Sequence, residues 1–422
     1  MRYWFENPFL KNLLPLALAT APRGLATPFM VPKIFFGANV LPEGPVIGPS
    51  VVDIFAMVCN SKRAFIVTDA FAERYAEKVS RVLARGGFSV ETWNKAQLEA
   101  PLENVRHCGE SMNQFEPDLL VAVGGGSAMD VAKAAWILYE RPDITDLWGV
   151  NPLQSLGLRK KAFLAAVPTT SGTGSECTWA VVLTDTDEER KVPIANPELL
   201  PDFAILVPEF CISMPPELTA GTGLDALAHA MDAVIAPIAN DFTDPIALRA
   251  IQMVFEYLPR VYREGKDREA RFRMHTAASM AGLAFSNSGV ALTHTLGHAL
   301  GNIFKMHHGV SVGLFIPYVF QFYAPVTDRY LSICRALGIQ KGSREEDLSA
   351  LVQKVRSLLQ DLNVPLCLKD LPLPREDFER KLDKLVLNAI EDPNGIFSPR
   401  PITRSQCEIL FRYAYEGRDV DF

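Results

Sequence analysis

An α/β domain followed by an all-α domain is the fold class this sequence predicts, and two patterns predict it. From about residue 63 to Leu200-Pro201-Asp202, short β-branched or aromatic runs alternate with longer amphipathic stretches. Beyond that point the alternation stops and apolar residues recur at helical period. The first pattern is that of strands and crossover helices in a doubly wound sheet, the second that of packed helices. A chain of 422 residues, 48% hydrophobic and 22% charged, is long enough to bury a core in each half.

The elements follow in order. Residues 1–30 read as an N-terminal arm: Leu13 to Ala21 is a short apolar run behind Arg2 and Lys11, ending Ala19-Thr20-Ala21. A signal peptide has this general form, but Glu6 and the Pro15 break favour an arm that docks or serves an accessory role. Within the α/β part, residues 31–210, strands are expected at Ala64–Thr68, Phe88–Glu91, Asp118–Val123 and Ala162–Val167, with helices at Phe71–Ala84, Asn104–Gln114 and Ala128–Tyr139. The helical part, residues 211–422, opens near Pro215-Pro216 and carries helical patterning over Ala220–Ile235, Ile246–Tyr262, Glu269–Phe285 and Val290–Phe304. Val310–Val326 is apolar and uncharged, but Gly313, Pro317 and Gln321 interrupt it, so a buried core helix is expected rather than a membrane span.

Composition narrows the partners. A net charge of -7 without a cluster of Lys and Arg argues against a nucleic-acid face and for small molecules. The seven cysteines are odd in number, scattered and without a C-x-x-C pair, which points to free thiols in a reducing cytoplasm.

Two loops point to a nucleotide. The strand ending at Val123 runs into Gly124-Gly125-Gly126-Ser127 and then a helix, so backbone N–H groups and a positive dipole end converge where a pyrophosphate can sit. Met129 stands where a dinucleotide fingerprint would have its third glycine, and a glycine run after a strand is also an ordinary tight turn. Thr169-Thr170-Ser171-Gly172-Thr173-Gly174-Ser175-Glu176 follows another strand with hydroxyls and glycines together, a donor-rich loop whose plain alternative is a surface turn. Asp69 ends the first strand of the alternating region, where a carboxylate accepts ribose hydroxyls and repels a 2′-phosphate; this favours NAD over NADP. Capping the helix at Phe71 is the equal alternative for Asp69.

The helical half points to a metal. Four of the seven histidines, His294, His298, His307 and His308, fall in one short stretch, with His294 and His298 one helical turn apart. Asp225 and His229 are also spaced i,i+4 and share one helix face. Three imidazoles and a carboxylate make a borderline-soft site suited to Fe²⁺ or Zn²⁺, whereas any single histidine is as readily a core residue. His307 competes with its neighbour His308 for a ligand role.

The motifs Gly124-Gly-Gly-Ser-x-x-Asp-x-x-Lys133, Pro168-Thr-Thr-Ser-Gly-Thr-Gly-Ser-Glu176, Pro215-Pro-Glu-Leu-Thr-Ala-Gly-Thr-Gly-Leu-Asp-Ala-Leu-Ala-His229 and His294-x-x-x-His298-x₉-His308-Gly occur in order. From about Pro32 to its end the chain resembles the iron-containing (group III) alcohol dehydrogenases. The resemblance implies a dehydroquinate synthase-like α/β domain plus a helical domain, with catalysis in the cleft between them, and an NAD-dependent alcohol dehydrogenase or aldehyde reductase acting on a small primary alcohol or diol. It implies metal ligands at Asp225, His229, His294 and His308, Fe²⁺ or alternatively Zn²⁺, and His298 as a proton relay. Cofactor contacts would fall on Asp69, Gly125, Gly126, Ser127, Thr169, Thr170, Thr173, Thr178 and Lys191, the last serving the ribose. A homodimer or higher homo-oligomer is implied in the same way. The match breaks at Ala100-Pro101-Leu102-Glu103, where relatives carry Pro-Asn-Pro-Thr, and at Ser398-Pro399-Arg400-Pro401, where Asn-Pro-Arg is common. Cys177, Trp179 and Ala180 stand where the pocket is shaped. Two rival roles remain: a phosphate-eliminating lyase or polyol-phosphate dehydrogenase of the same fold, for which Phe285, Val290 and Leu292 supply no cationic site, and an inactive assembly component docked through its arm.

Overall fold

The computed structural model describes residues 2–11, 28–37, 39–42, 49–188 and 190–422. The apolar run at Leu13–Ala21 lies outside the described residues. Contacts divide the chain into two compact units, the first of Met1–Leu10 and Met30–Ser213, the second of Lys11–Phe29 and Met214–Phe422.

Among the described residues, the first unit is built on a parallel sheet and a hairpin with helices between the strands. In chain order these are β1 (Lys33–Phe36), α1 (Val51–Val58), β2 (Arg63–Thr68), α2 (Glu73–Arg85), β3 (Ser89–Trp93), α3 (Leu102–Phe115), β4 (Leu119–Gly124), α4 (Gly126–Glu140), β5 (Phe163–Pro168), β6 (Ala180–Asp185), β7 (Arg190–Ala195) and β8 (Phe203–Leu206). Six strands form one parallel sheet in the order β1-β8-β5-β4-β2-β3. Strand β4 is buried at every position, as the continuous apolar run Leu119–Val123 requires of a strand covered on both faces. Ile66, Val121, Val123, Ala165 and Val167 pack on one side with Phe55, Val79, Leu83 and Phe203. The chain runs from β2 to β3 on one side, then returns to β4 on the other, so the order in which strands are added reverses between β2 and β4 while all six stay parallel. In open α/β sheets a crevice forms at such a switch point, outside the carboxyl ends of the strands.

Strands β6 and β7 form an antiparallel hairpin apart from the sheet. The first residues of the chain dock there: Tyr3 donates its hydroxyl to Asp185 Oδ2 at 2.9 Å, and Trp4 Nε1 donates to Pro193 O at 2.9 Å. Four strands had no expectation in the sequence: β1 and β8 are four residues each, too short for periodicity, and the hairpin residues sit in a segment rich in charge.

The second unit is helical: α5 (Pro216–Ile235), α6 (Thr243–Arg263), α7 (Arg268–Ser286), α8 (Leu292–Phe304), α9 (His308–Tyr323), α10 (Tyr330–Ala336), α11 (Arg344–Asp361), α12 (Arg375–Glu391) and α13 (Arg404–Glu416). Helix α5 is buried on all sides from Thr219 to Ile235, so it is the central rod of this unit. Leu227, Met231, Val254, Leu258, Phe315 and Val319 belong to the core around it. A helix buried all round must carry any polar side chain inside the protein, and α5 carries Asp225, His229 and Asp232. Among the described residues no helix is long and apolar enough to cross a membrane, and the seven cysteines are buried, none of them in a disulfide.

Candidate active site

The nucleotide-side residues gather at the carboxyl ends of β2, β4 and β5. Helix α4 begins at Gly126, two residues before the sequence pattern places it, so Gly126 and Ser127 form its first turn with N–H groups at the positive end of the helix. Across from them lies the loop after β5: a side-chain carbon built on Gly125 would meet Thr170 Oγ1 at 3.6 Å, and one on Gly126 would meet Thr173 Cγ2 at 2.9 Å. Thr169 N donates to Gly124 O at 2.9 Å and ties the two loops together.

Asp69 closes the turn that leads into α2. Its Oδ1 accepts from Phe71 N at 2.8 Å and Ala72 N at 2.9 Å, and because α2 starts at Glu73 with Ala72 as its N-cap and no side-chain cap, Asp69 does not cap a helix at Phe71. The second oxygen, Oδ2, lies over the glycine turn, 3.1 Å from where a Gly124 side-chain carbon would be. Lys191 pairs with Glu99 at 3.1 Å, and Glu99 N donates to Ser127 Oγ at 3.0 Å, so Lys191 reaches this corner through Glu99. Thr178 is buried, with its hydroxyl 3.4 Å from Lys133 Nζ.

Lys133 had a place in the glycine motif but no role. It is fully buried, and its ammonium donates to Ser175 O and Oγ, Thr178 O and Ala180 O at 2.8–3.2 Å. Burial lowers its pKa to about 8, opposed by Asp130 one turn earlier on α4; burial likewise raises Asp130, opposed by Lys133. The pair fastens α4 to the loop that ends at Thr178.

In the second unit, Asp225, His229 and His294 each place one donor atom within 4.8 Å of the others. His229 Nδ1 and His294 Nε2 lie 3.7 and 3.8 Å from Asp225 Oδ1, and His308 Nε2 approaches the same oxygen at 3.1 Å. Asp225 Oδ1, His229 Nδ1 and His294 Nε2 are buried, and none makes a hydrogen bond of acceptable geometry. Buried polar atoms without partners are costly, and three N and O donors gathered within 4.8 Å of one another, with His308 Nε2 beside the carboxylate, are a donor set that suits a divalent cation. The residues therefore fit a metal. Burial pulls His229 down to about 3, against the pull of Asp225, which keeps its imidazole neutral as a ligand must be. Asp225 stays ionised: burial would raise its pKa, but the surrounding imidazoles hold it well below the usual carboxylate range.

Close backbone approach makes the cluster possible. A side-chain carbon on Gly309 would fall 1.8 Å from Gly221 O and 3.1 Å from Asp225 Cβ, so glycine lets the start of α9 lie against α5 and bring His308 to Asp225. His307 turns the other way and packs on Gly221, which separates it from its neighbour's position. Phe285 stacks on His229 with centroids 4.3 Å apart, and Val290 and Leu292 are buried nearby in the chain.

Two carboxylates that sequence reasoning missed hold the histidines of α8. Asp232 Oδ2 lies 2.8 Å from His294 Nδ1, and Asp392 Oδ2 lies 2.7 Å from His298 Nδ1. Asp232 follows Asp225 by seven residues on one helix face, a spacing that was readable; Asp392 lies 94 residues from His298 and gave no local signal.

Residues 42–208 match the family model described as iron-containing alcohol dehydrogenase, and residues 219–415 match that of the Fe-containing alcohol dehydrogenase family, C-terminal. The chain belongs to the iron-containing alcohol dehydrogenase family. It is similar to the NADPH-dependent butanol dehydrogenase of Clostridium saccharobutylicum, 37% identical over 349 residues that cover 82% of this chain and 89% of that one. Among solved structures, the iron-containing alcohol dehydrogenase from Thermococcus thioreducens matches with a TM-score of 0.81 at 31% identity, covering 93% of this chain and 100% of that one. Sulfoacetaldehyde reductase from Bifidobacterium kashiwanohense, in complex with NAD+, matches at 0.77 and 29% identity, covering 93% and 99%. This iron-containing alcohol dehydrogenase family member is thus an oxidoreductase acting on CH–OH groups. Its α/β sheet unit and helical unit are the fold shared with those structures.

Proposed function

We propose that this family member interconverts a short-chain primary alcohol or diol and its aldehyde, using NAD and one divalent metal, Fe²⁺ or alternatively Zn²⁺. The observation that carries the reading is the trio of buried atoms without hydrogen-bond partners, Asp225 Oδ1, His229 Nδ1 and His294 Nε2, with His308 Nε2 beside them. Those four residues would hold the cation, whose Lewis acidity lets an alcohol ionise near neutral pH. NAD supplies the hydride acceptor.

The chain's own residues do the rest. Gly125, Gly126 and Ser127 offer backbone N–H groups to a pyrophosphate, with Thr169, Thr170 and Thr173 donating from the facing loop. Asp69 Oδ2 accepts from the adenosine ribose, and its charge disfavours a 2′-phosphate; Lys191 and Thr178 complete the cofactor contacts. The butanol relative is NADPH-dependent by name and the sulfoacetaldehyde reductase structure is a complex with NAD+, so within this chain the cofactor choice rests on Asp69. His298, with Nδ1 held by Asp392, has Nε2 left to carry the alcohol proton towards solvent. Seven cysteines with no disulfide among them suit a reducing compartment such as the cytoplasm.

The test is a metal analysis of protein purified without oxygen, paired with NADH formation from a panel of short alcohols and diols before and after chelation. About one Fe or Zn per chain with chelator-sensitive turnover supports the reading. Protein that stays inactive and metal-free after Fe²⁺ or Zn²⁺ is restored overturns it.

A further inference from the structure

Helix α8 presents two histidines one turn apart, and each ring is held at Nδ1 by a different buried carboxylate. On His294 the carboxylate is Asp232, fully buried on α5 one turn beyond His229. Its Oδ2 also accepts from Ala291 N at 2.9 Å and from the Thr293 hydroxyl, so three donors fix it in place. On His298 the carboxylate is Asp392, which caps the short turn Pro393–Phe397: its Oδ1 accepts from Asn394 N at 2.9 Å while Oδ2 faces the ring. Phe397 closes that turn against Gly289, where an added side-chain carbon would lie 2.5 Å from the phenyl ring. The anchor on each ring is therefore rigid, and the two anchors come from unrelated parts of the helical unit.

An ionised carboxylate only accepts hydrogen bonds, so the imidazole nitrogen facing it carries the hydrogen. We propose that Asp232 and Asp392 are positioning residues that hold His294 and His298 in the same tautomer, Nδ1–H, with divided duties: Asp232 secures metal retention and Asp392 secures the proton step. His294 is then left with Nε2, its buried unpartnered atom, for the cation. His298 is left with Nε2 as a proton acceptor. The division rests on the dehydrogenase reading above; the tautomers do not.

Three measurements test it on the full chain. In histidine-selective ¹H–¹⁵N spectra of the metal-free and Zn²⁺-loaded protein, with His298 assigned through His298→Gln, both rings should show Nδ1–H. Zn²⁺ affinity, read against a chromophoric chelator, should fall about tenfold to 100-fold in Asp232→Ala and stay within about threefold of wild type in Asp392→Ala. With NADH and butanal as the probe, Asp392→Ala should lose about tenfold to 100-fold in kcat with KM for NADH unchanged, and Asp392→Asn, whose amide oxygen still accepts, should recover part of it. An Nε2–H tautomer at either ring in the wild type overturns the proposal even if Asp232→Ala fails to fold. So does equal loss of Zn²⁺ affinity in the two alanine variants, or undiminished kcat in Asp392→Ala. Wild-type protein that takes up no Zn²⁺ and oxidises no NADH defeats the dehydrogenase reading instead, while the spectra still decide the tautomers.

Discussion

Gly309 and Gly221 meet backbone to backbone: an alanine methyl at Gly309 would lie 1.8 Å from the Gly221 carbonyl oxygen. That contact sets how closely the start of α9 approaches α5, and with it the 3.1 Å between His308 and Asp225. Carbonyl oxygen on a buried helix has nowhere to go. Gly309→Ala should therefore cost about 1–3 kcal/mol of stability and weaken metal retention together, because relief of the clash carries His308 away. Thermal unfolding and metal content check this; a variant with unchanged melting temperature and full metal content would refute it.

His229→Ala removes a donor from the centre of α5 and should abolish metal content and turnover in one step. Metal analysis of the purified variant, before and after incubation with Fe²⁺ or Zn²⁺, is the measurement. An active variant without metal would contradict the ligand assignment.

Asp69→Gly removes the carboxylate over the glycine turn and should admit NADP, seen as a rise in kcat/KM with NADP relative to NAD. The same change removes the acceptor of Phe71 N and Ala72 N in the turn before α2 and costs about 1 kcal/mol of stability. Unchanged cofactor preference would leave Asp69 with its turn role only.

Lys133→Met keeps the length of the side chain but strips four oxygen acceptors of their donor. Leaving a buried acceptor without its donor costs about 1–3 kcal/mol. Denaturant unfolding should register that loss, and NADH titration should show weaker binding through the loosened loop at Ser175–Thr178. A variant as stable as wild type would show that the network contributes nothing.

His275 is buried on α7, and burial lowers its pKa from 6.5 to about 4. The unfolded chain thus binds a proton at a pH where the folded chain does not. Stability from this group is present above pH 6.5, is lost as pH falls towards 4, and does not fall further once both states are protonated. The span amounts to about 3 kcal/mol. In metal-loaded protein, the difference in unfolding free energy between wild type and His275→Gln should vary by that order over pH 4–6.5. A pH-independent difference would mean that His275 titrates normally.

Several features were legible because they are local. The run Leu119–Val123 is apolar without alternation, which only a doubly covered strand or a buried helix tolerates, and the glycines after it settle which. The i,i+4 pairs Asp225/His229 and His294/His298 announced one helix face each. Strand β1 was illegible for the opposite reason: its partner β8 lies about 170 residues away, and four residues carry no period. The hairpin of β6 and β7 had a readable signal in the alternation Val181, Leu183 and Val192, Ile194, all buried, with their neighbours partly exposed.

The sequence by itself determined the two-part architecture, the strand-to-glycine-to-helix turn and the residue types of the metal cluster, because periodicity, turn chemistry and ligand chemistry are properties of neighbouring residues. Only the tertiary structure decided which of the adjacent His307 and His308 reaches Asp225, that Asp69 spends one oxygen on the turn before α2, that Lys133 is spent on the segment Ser175–Ala180, and that Asp232 and Asp392 lie against His294 and His298. Each of those depends on how closely separate elements pack, Gly309 on Gly221 above all, and a packing distance between residues far apart in the chain leaves no trace in local pattern.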